Sequence, residues 1–176
     1  MGVSGSGKTT IAELLAQRLS LRMLEGDSLH PRENIERMRA GVPLTDEDRH
    51  GWLHAIEAQI AAAAQQKRGL VVSCSALKRR YRDILRSHVS DVIFVCLRGD
   101  ESTIGNRLNR RSGHFMPPAL LDSQFDSLEP PQADEAAMSC DIAAAPGTMV
   151  ESILEQLPSL IERTSGLRRD SPAGGS

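Results

Sequence analysis

The first residues whose spacing suits chemistry are GVSGSGKT at positions 2–9, which match the phosphate-loop pattern G-x-x-x-x-G-K-[ST]. Glycines in such a loop let backbone N–H groups point inward at phosphate oxygens. Lys8 would bridge the β- and γ-phosphates of a nucleotide, and the Thr9 hydroxyl is a hard oxygen ligand suited to Mg²⁺. The pattern predicts that a nucleoside triphosphate is bound by Gly2, Val3, Ser4, Gly5, Ser6, Gly7, Lys8 and Thr9. A Gly/Ser-rich turn without a ligand is the alternative, which eight fitting positions and a following helix disfavour.

A second candidate is the segment EGDSLHP (25–31), which follows a short run predicted to be a strand. Ligands collect at the carboxyl ends of strands in an α/β sheet, so we expect Asp27 near the terminal phosphate. A carboxylate there can accept the proton of an attacking hydroxyl, or hold Mg²⁺ through water. The alternative is that Asp27 only caps the helix that starts near Pro31. His30 either binds a substrate hydroxyl or packs beside Pro31.

Two basic segments carry further candidates. In CSALKRRYRD (74–83), we expect Ser75, Lys78 and Arg82 to line the same mouth, whereas Arg79 and Arg80 are equally well explained as a solvated helix face. In RLNRRSGHF (107–115), a basic helix followed by glycine is typical of a mobile lid. Its Arg107 and Arg111, one helical turn apart, would neutralise charge as a phosphoryl group moves.

One histidine pair has metal-binding spacing without further support. His50 and His54 stand four residues apart, which suits zinc, but no other ligands cluster with them. A solvated helix face is the better interpretation.

Alternating strands and helices must position these segments. Apolar residues recur at helical spacing over 8–19, while LVVSC (70–74) and VIFVCL (92–97) are typical of buried strands. Thr45 stands before three acidic residues, the pattern of a capped helix start. The alternation predicts an α/β fold with a mainly parallel sheet and helices on both faces. We expect one domain over residues 1–163, with a lid around 107–118, and a disordered polar tail over 164–176.

Composition limits the partners. The chain of 176 residues has a net charge of −2, so nothing indicates nucleic acid or an anionic membrane as a partner. No apolar run approaches the roughly 20 residues of a membrane helix. Cys74, Cys96 and Cys140 form no C-x-x-C pair and lie near apolar runs, which favours buried, reduced thiols and a cytoplasmic location.

Taken together, these segments resemble the gluconokinases, small P-loop kinases related to shikimate and adenylate kinases. The similarity runs from residue 2 to about residue 160, and its most specific parts are GDSLHPRENIERMRAGVPLTDEDRHGWL and GHFMPPALLDSQFDSLEPP. The resemblance implies a three-layer α/β/α P-loop kinase fold with strand order 2-3-1-4-5, and a homodimer. It also implies that ATP, with Mg²⁺, phosphorylates the 6-hydroxyl of D-gluconate.

The resemblance also implies roles for individual positions. Asp27 would be the general base, or a carboxylate associated with Mg²⁺ beside Thr9, and Arg107 and Arg111 would be lid arginines. Candidates for contacts with gluconate, in addition to Asp27, are His30, Arg49, Lys78, His114 and Gln124. These residue types suit an acceptor that carries a carboxylate and many hydroxyls.

Two other functions stay open from the sequence: a kinase of another polyhydroxy acid, and a nucleotide-binding protein without kinase activity. A GTP-dependent switch is disfavoured because no N-K-x-D segment occurs. Members of the family have an apolar strand before the phosphate loop, where this chain has only Met1. We therefore expect the first strand to be truncated, Met1 to be an internal methionine of a longer natural chain, and this polypeptide to be an incomplete kinase.

Overall fold

Strands and helices alternate in the computed structural model, which describes residues 1–109 and 118–167. The strands are β1 (Arg22–Glu25), β2 (Leu70–Ser73), β3 (Phe94–Arg98) and β4 (Ala137–Asp141). The helices are α1 (Lys8–Leu19), α2 (Arg32–Arg39), α3 (Asp46–Gln65), α4 (Arg79–Leu85), α5 (Glu101–Asn109), α6 (Pro118–Ser127) and α7 (Pro146–Leu167). A turn of 3₁₀ helix, Gly26–Leu29, follows β1. The predicted α/β fold class is confirmed.

The strands form two parallel pairs. Strand β1 pairs with β2, from Arg22 opposite Leu70 to Glu25 opposite Ser73, and β3 pairs with β4. Met1 and Gly2 lie between the pairs: the Leu97 N–H donates to the Met1 carbonyl at 2.9 Å, and the Gly2 N–H donates to the Ser75 carbonyl at 3.1 Å. The predicted single sheet is therefore found as two short sheets. Residues 1 and 2 stand where the order 2-3-1-4-5 has its first strand.

Both faces of the strands carry a buried core. Successive strand residues point to opposite faces, and accordingly Val71 packs against one cluster while Val72 packs against the other. The first cluster joins α1, α5, α6 and α7 through residues such as Leu15, Ile104 and Ile153. The second contains Trp52, Ile56 and other residues of α3 and α4. Helices therefore cover the strands on both sides, as expected for a layered α/β fold.

Local signals explain where the helices begin. Thr45 forms a capping box with Asp48: the Asp48 N–H donates to the Thr45 hydroxyl at 3.2 Å, and the Thr45 N–H donates to the Asp48 carboxylate at 2.8 Å. The bond from the Thr45 N–H to the carboxylate holds the pKa of Asp48 below its ordinary value. The predicted start of α3 at Thr45 is therefore confirmed.

Helix α7 is longer than the sequence predicts. A disordered tail is expected from Thr164, but the helix continues to Leu167. Thr164 is buried, and its hydroxyl donates to the Ile161 carbonyl at 2.9 Å. A hydroxyl satisfied within its own helix does not have to end that helix. The rest of the expected tail, residues 168–176, and the expected lid over 110–117 lie outside the described residues.

The three cysteines are free and buried, as predicted. Burial raises the pKa of the Cys74 thiol to about 12, and it also raises the pKa values of Cys96 and Cys140. These thiols are therefore protonated core residues. None of the helices in residues 1–109 and 118–167 combines the length and apolar character that a membrane span requires.

Candidate active site

The predicted phosphate loop runs from Gly2 to the first turn of α1. Gly2, Gly5 and Gly7 have φ angles of 138°, 79° and 93°, a region that side chains rarely adopt. Gly5 is also tightly packed, because a Cβ atom there would lie 2.7 Å from Cγ of Leu108. Lys8 Nζ donates to the Val3 carbonyl at 2.9 Å, which holds its ammonium group against the loop. The eight predicted residues thus form one loop at a helix N-terminus, where N–H groups and the helix dipole suit phosphate.

Two side-chain oxygens of the kind that bind Mg²⁺ meet at the start of α1. Thr9 Oγ1 donates to Glu25 Oε2 at 2.7 Å, and Glu25 is the last residue of β1. Mg²⁺ is usually held by one or two carboxylates together with phosphates and water, so a hydroxyl and a carboxylate fit this ion. Within the described ranges, no group of three or more His, Cys, Asp or Glu side chains could hold a metal without such help.

Glu25 is the functional candidate that sequence reasoning missed. The prediction paired Thr9 with Asp27, which lies two residues further on, exposed in the 3₁₀ turn. The available signal was position, since Glu25 ends a predicted strand and acidic residues there face the ligand side of a parallel sheet. Asp27 stays a candidate base beside the Thr9–Glu25 pair.

A cavity of about 320 Å³ adjoins the phosphate loop. The phosphate loop and α1 form one part of its wall, and the chain after β4 forms another. The residues that line it are Gly5, Ser6, Gly7, Thr10, Ile11, Arg107, Ile142, Ala144, Pro146 and Met149. Most of the side chains beyond the loop are apolar. An apolar-walled cavity next to a phosphate loop suits a nucleotide base.

Arg107 lies at this cavity. Its Nη2 donates to the Ile142 carbonyl at 2.7 Å, which places the guanidinium on the cavity wall formed by the chain after β4. The catalytic role predicted for Arg107 stays a prediction. Its predicted companion Arg111 and the candidate gluconate contact His114 lie outside the described residues.

His30 lies at the end of the turn that contains Asp27. Its ring stacks on Trp52, with centroids 4.1 Å apart and planes 12° apart, and the Trp52 indole N–H donates to the Gly26 carbonyl at 2.8 Å. Burial and the charge of Arg49 lower the pKa of His30 to about 4, so the ring is neutral. Its Nδ1 is buried and has no hydrogen-bond partner within residues 1–109 and 118–167. His30 therefore packs on Trp52, and keeps one polar atom unsatisfied.

Cations surround Tyr81 beyond His30. The charged groups of Arg49, Lys78 and Arg80 lie 6.0, 5.7 and 5.7 Å from the centre of the Tyr81 ring. Asp46 pairs with two of them: Lys78 Nζ donates to its Oδ1 at 2.9 Å, and Arg80 and the Tyr81 hydroxyl also contact its carboxylate. These three cations suit an acidic acceptor, and the carboxylates of Asp48 and Glu129 also lie within electrostatic range, of Arg49 and of Tyr81 respectively.

The last predicted gluconate contact, Gln124, lies against the phosphate loop. The Ser4 N–H donates to Gln124 Oε1 at 2.6 Å. Gly2 is bonded similarly to the carbonyl of Ser75, the residue predicted to line the mouth near Lys78. The structure therefore brings Gln124 to the phosphate loop.

The prediction that Arg82 lines the mouth is wrong. Its side chain is fully buried and pairs with buried Glu135, with Nε to Oε2 at 2.6 Å and Nη2 to Oε1 at 2.8 Å. Its Nη1 also donates to the Glu129 carbonyl at 2.9 Å and to the Leu77 carbonyl at 3.2 Å. A guanidinium with these partners is a structural link, because its donors are used inside the protein.

Comparisons with known proteins agree with this geometry. A family model described as shikimate kinase matches residues 4–155. The chain is 52% identical over 136 residues to the thermosensitive gluconokinase of Escherichia coli K12, and the matched region covers 77% of this chain and 72% of that protein. It is 43% identical over 154 residues to the gluconokinase of Gluconobacter oxydans, and the matched region covers 88% of this chain and 86% of that protein.

Solved structures give the same result. A crystal structure of a gluconokinase from Sinorhizobium meliloti 1021 has a TM-score of 0.85 and 43% identity, over 95% of this chain and 94% of that one. The Mycobacterium tuberculosis APS kinase, at a TM-score of 0.67 and 17% identity over 90% of this chain and 94% of that one, shares the fold.

Proposed function

The chain belongs to the gluconokinase family of P-loop kinases, and we propose on that premise that it transfers the γ-phosphoryl group of ATP to the 6-hydroxyl of D-gluconate. The products are 6-phospho-D-gluconate and ADP. The named relatives support the reaction, since they are gluconokinases at up to 52% identity.

The observation that supports this function best is the position of Asp27. It lies in one short segment between Glu25, whose carboxylate contacts Thr9 at the phosphate loop, and His30, near the cations around Tyr81. The His30 N–H donates to the Asp27 carbonyl at 3.3 Å, so the turn is closed on itself. This position along the chain supports a role for Asp27 between the phosphates and the acidic acceptor.

The residues divide the proposed reaction as follows. The 6-hydroxyl oxygen attacks the γ-phosphorus, its proton passes to the Asp27 carboxylate, and the bond to ADP breaks. Lys8 and the loop N–H groups hold the phosphates. Thr9 and Glu25 would hold Mg²⁺, which neutralises phosphate charge when it is bound. Arg49 and Lys78 would take the carboxylate of gluconate, and His30 would bind a hydroxyl.

The deciding experiment measures ADP release with D-gluconate, other aldonates, D-glucitol, shikimate and AMP as acceptors. The proposal expects gluconate to give the highest kcat/KM. If gluconate releases no more ADP than water does, the proposal fails. A better rate with another aldonate would assign the same site to a different sugar acid.

Two further parts of the proposal rest on the family. We propose that the enzyme is a homodimer, which light scattering after size-exclusion chromatography tests. We also propose that it works in the cytoplasm, where its buried free thiols would stay reduced.

A further inference from the structure

We propose that Gln124 is a positioning residue that fixes the phosphate loop for nucleotide binding, rather than a contact for the sugar acid. The inference rests on the proposed function only in taking the loop as a nucleotide site. The observation behind it is the 2.6 Å bond from the Ser4 N–H to Gln124 Oε1, which joins residues 120 positions apart.

The phosphate loop has an irregular backbone, with positive φ angles at Gly2, Gly5 and Gly7. Its first residue is held from outside, because the Gly2 N–H donates to the Ser75 carbonyl at 3.1 Å. Inside the loop, the Ser6 N–H donates to the Val3 carbonyl at 3.3 Å, and Lys8 Nζ donates to the same oxygen. A glycine-rich segment loses much conformational freedom on ordering, so an external bond to its backbone contributes directly to preorganisation.

Helix α6 is a rigid support for this bond. Leu120 and Leu121 of α6 are buried, and Leu121 belongs to the same buried cluster as Val3 of the loop. Gln124 lies one helical turn beyond these leucines. The shared packing therefore sets the distance from the Gln124 side chain to the Ser4 N–H.

The bond between Ser4 and Gln124 is not part of the lining of the cavity beside the phosphate loop. Gly5, Ser6 and Gly7 line that cavity, whereas Ser4 and Gln124 do not. A nucleotide entering there does not have to displace the Gln124 carbonyl. The side-chain oxygen of Gln124, a residue predicted to contact gluconate, accepts a bond from the Ser4 N–H.

The test compares wild type, Gln124→Leu, Gln124→Glu and the exposed control Gln156→Leu, all as the full chain. Hydrogen exchange of the Ser4 amide is measured without nucleotide, Mg–ADP affinity is measured without acceptor, and KM is measured for ATP and for gluconate. We expect a protected Ser4 amide in wild type, in Gln156→Leu and in Gln124→Glu, which keeps the acceptor oxygen. In Gln124→Leu, the Ser4 amide should lose its protection and the Kd for Mg–ADP should rise about three- to tenfold. The KM for gluconate should stay within about twofold of the wild-type value.

The outcomes are distinct. Rapid exchange of the wild-type Ser4 amide overturns the inference without any variant. The inference can therefore be tested even if the Gln124→Leu protein does not fold. A raised KM for gluconate with unchanged Mg–ADP affinity restores the substrate-contact role. A lower melting temperature with both affinities unchanged shows a purely structural bond. Weaker Mg–ADP binding in a protein that does not phosphorylate gluconate would support this inference while the proposed function fails.

Discussion

The hydroxyl of Thr9 and the carboxylate of Glu25 meet at 2.7 Å, and join the first turn of α1 to the end of β1. Neither residue is near the other in sequence, yet both carry hard oxygen atoms beside the phosphate loop. A bound Mg²⁺ would replace this hydrogen bond with two oxygen contacts, direct or through water. The pair is therefore a candidate site for the ion.

Replacing Glu25 by Gln should raise the Mg²⁺ concentration needed for half-maximal activity about 10- to 100-fold, because the neutral amide attracts the ion or its water less strongly. Activity is titrated against free Mg²⁺ at saturating ATP and gluconate. Glu13→Gln, an exposed change on α1, is the matched control. An unchanged Mg²⁺ requirement in Glu25→Gln would show that this carboxylate only accepts a hydrogen bond from the Thr9 hydroxyl.

Replacing Asp27 by Asn should lower kcat by about 10²–10⁴-fold, the usual contribution of a general base. The Kd for Mg–ADP should change little, because the loop and the cavity are left intact. Steady-state kinetics and calorimetric titration give the two quantities. A parallel loss of kcat and nucleotide affinity would instead assign Asp27 to the metal or to the fold.

Replacing Arg49 by Met should lower kcat/KM for gluconate about 10- to 100-fold, because a charge-assisted bond to its carboxylate is lost. The rate with D-glucitol, a neutral polyol, should hardly change, so the preference for gluconate over D-glucitol should shrink. Arg68→Met, an exposed change near the end of α3, serves as the control. Equal losses with both acceptors would mean that Arg49 does not recognise the carboxylate.

His30 should make the protein less stable in mild acid. Its pKa is about 4 when folded, below the ordinary 6.5, so between these values the unfolded chain binds more protons and stability falls as the pH falls. His30→Phe keeps a ring on Trp52 without titrating, and should gain roughly 2 kcal/mol over wild type between pH 6.5 and pH 4. Urea unfolding at each pH measures the difference. The exposed His54→Phe should follow the wild type, and parallel curves for wild type and His30→Phe would refute the prediction.

Local patterns and long-range partners differ in how far the sequence reveals them. The helix from Lys8, the helix cap at Thr45 and the strand at Leu70 depend on neighbours within a few residues, so spacing predicted them. The partner of Thr9 is 16 residues away, and that of Gln124 is 120 residues away. Such pairs leave no periodic signal in one sequence, because tertiary packing alone brings them together.

Arg82 shows the same limit for charge. A basic residue that follows a strand is typical of a ligand contact. Only the fold reveals that Arg82 is buried in an ion pair with Glu135, 53 residues later in the chain. The neighbouring pair Arg79–Asp134 joins the same helix to the same loop, but it is exposed. The two pairs form a natural comparison between buried and exposed ion pairs.

Replacing Arg82 by Met should destabilise the fold by about 3–5 kcal/mol, because Glu135 is then left as an unpaired buried charge. Arg79→Met should change stability little, since exposed pairs contribute little. The double change Arg82→Met with Glu135→Met should recover much of the loss, because it leaves no buried charge, although the carbonyls of Glu129 and Leu77 also lose their donor. Chemical unfolding of the four proteins measures these free energies. If Arg82→Met costs no more than Arg79→Met, the buried pair is not the link that holds the loop before β4 to helix α4.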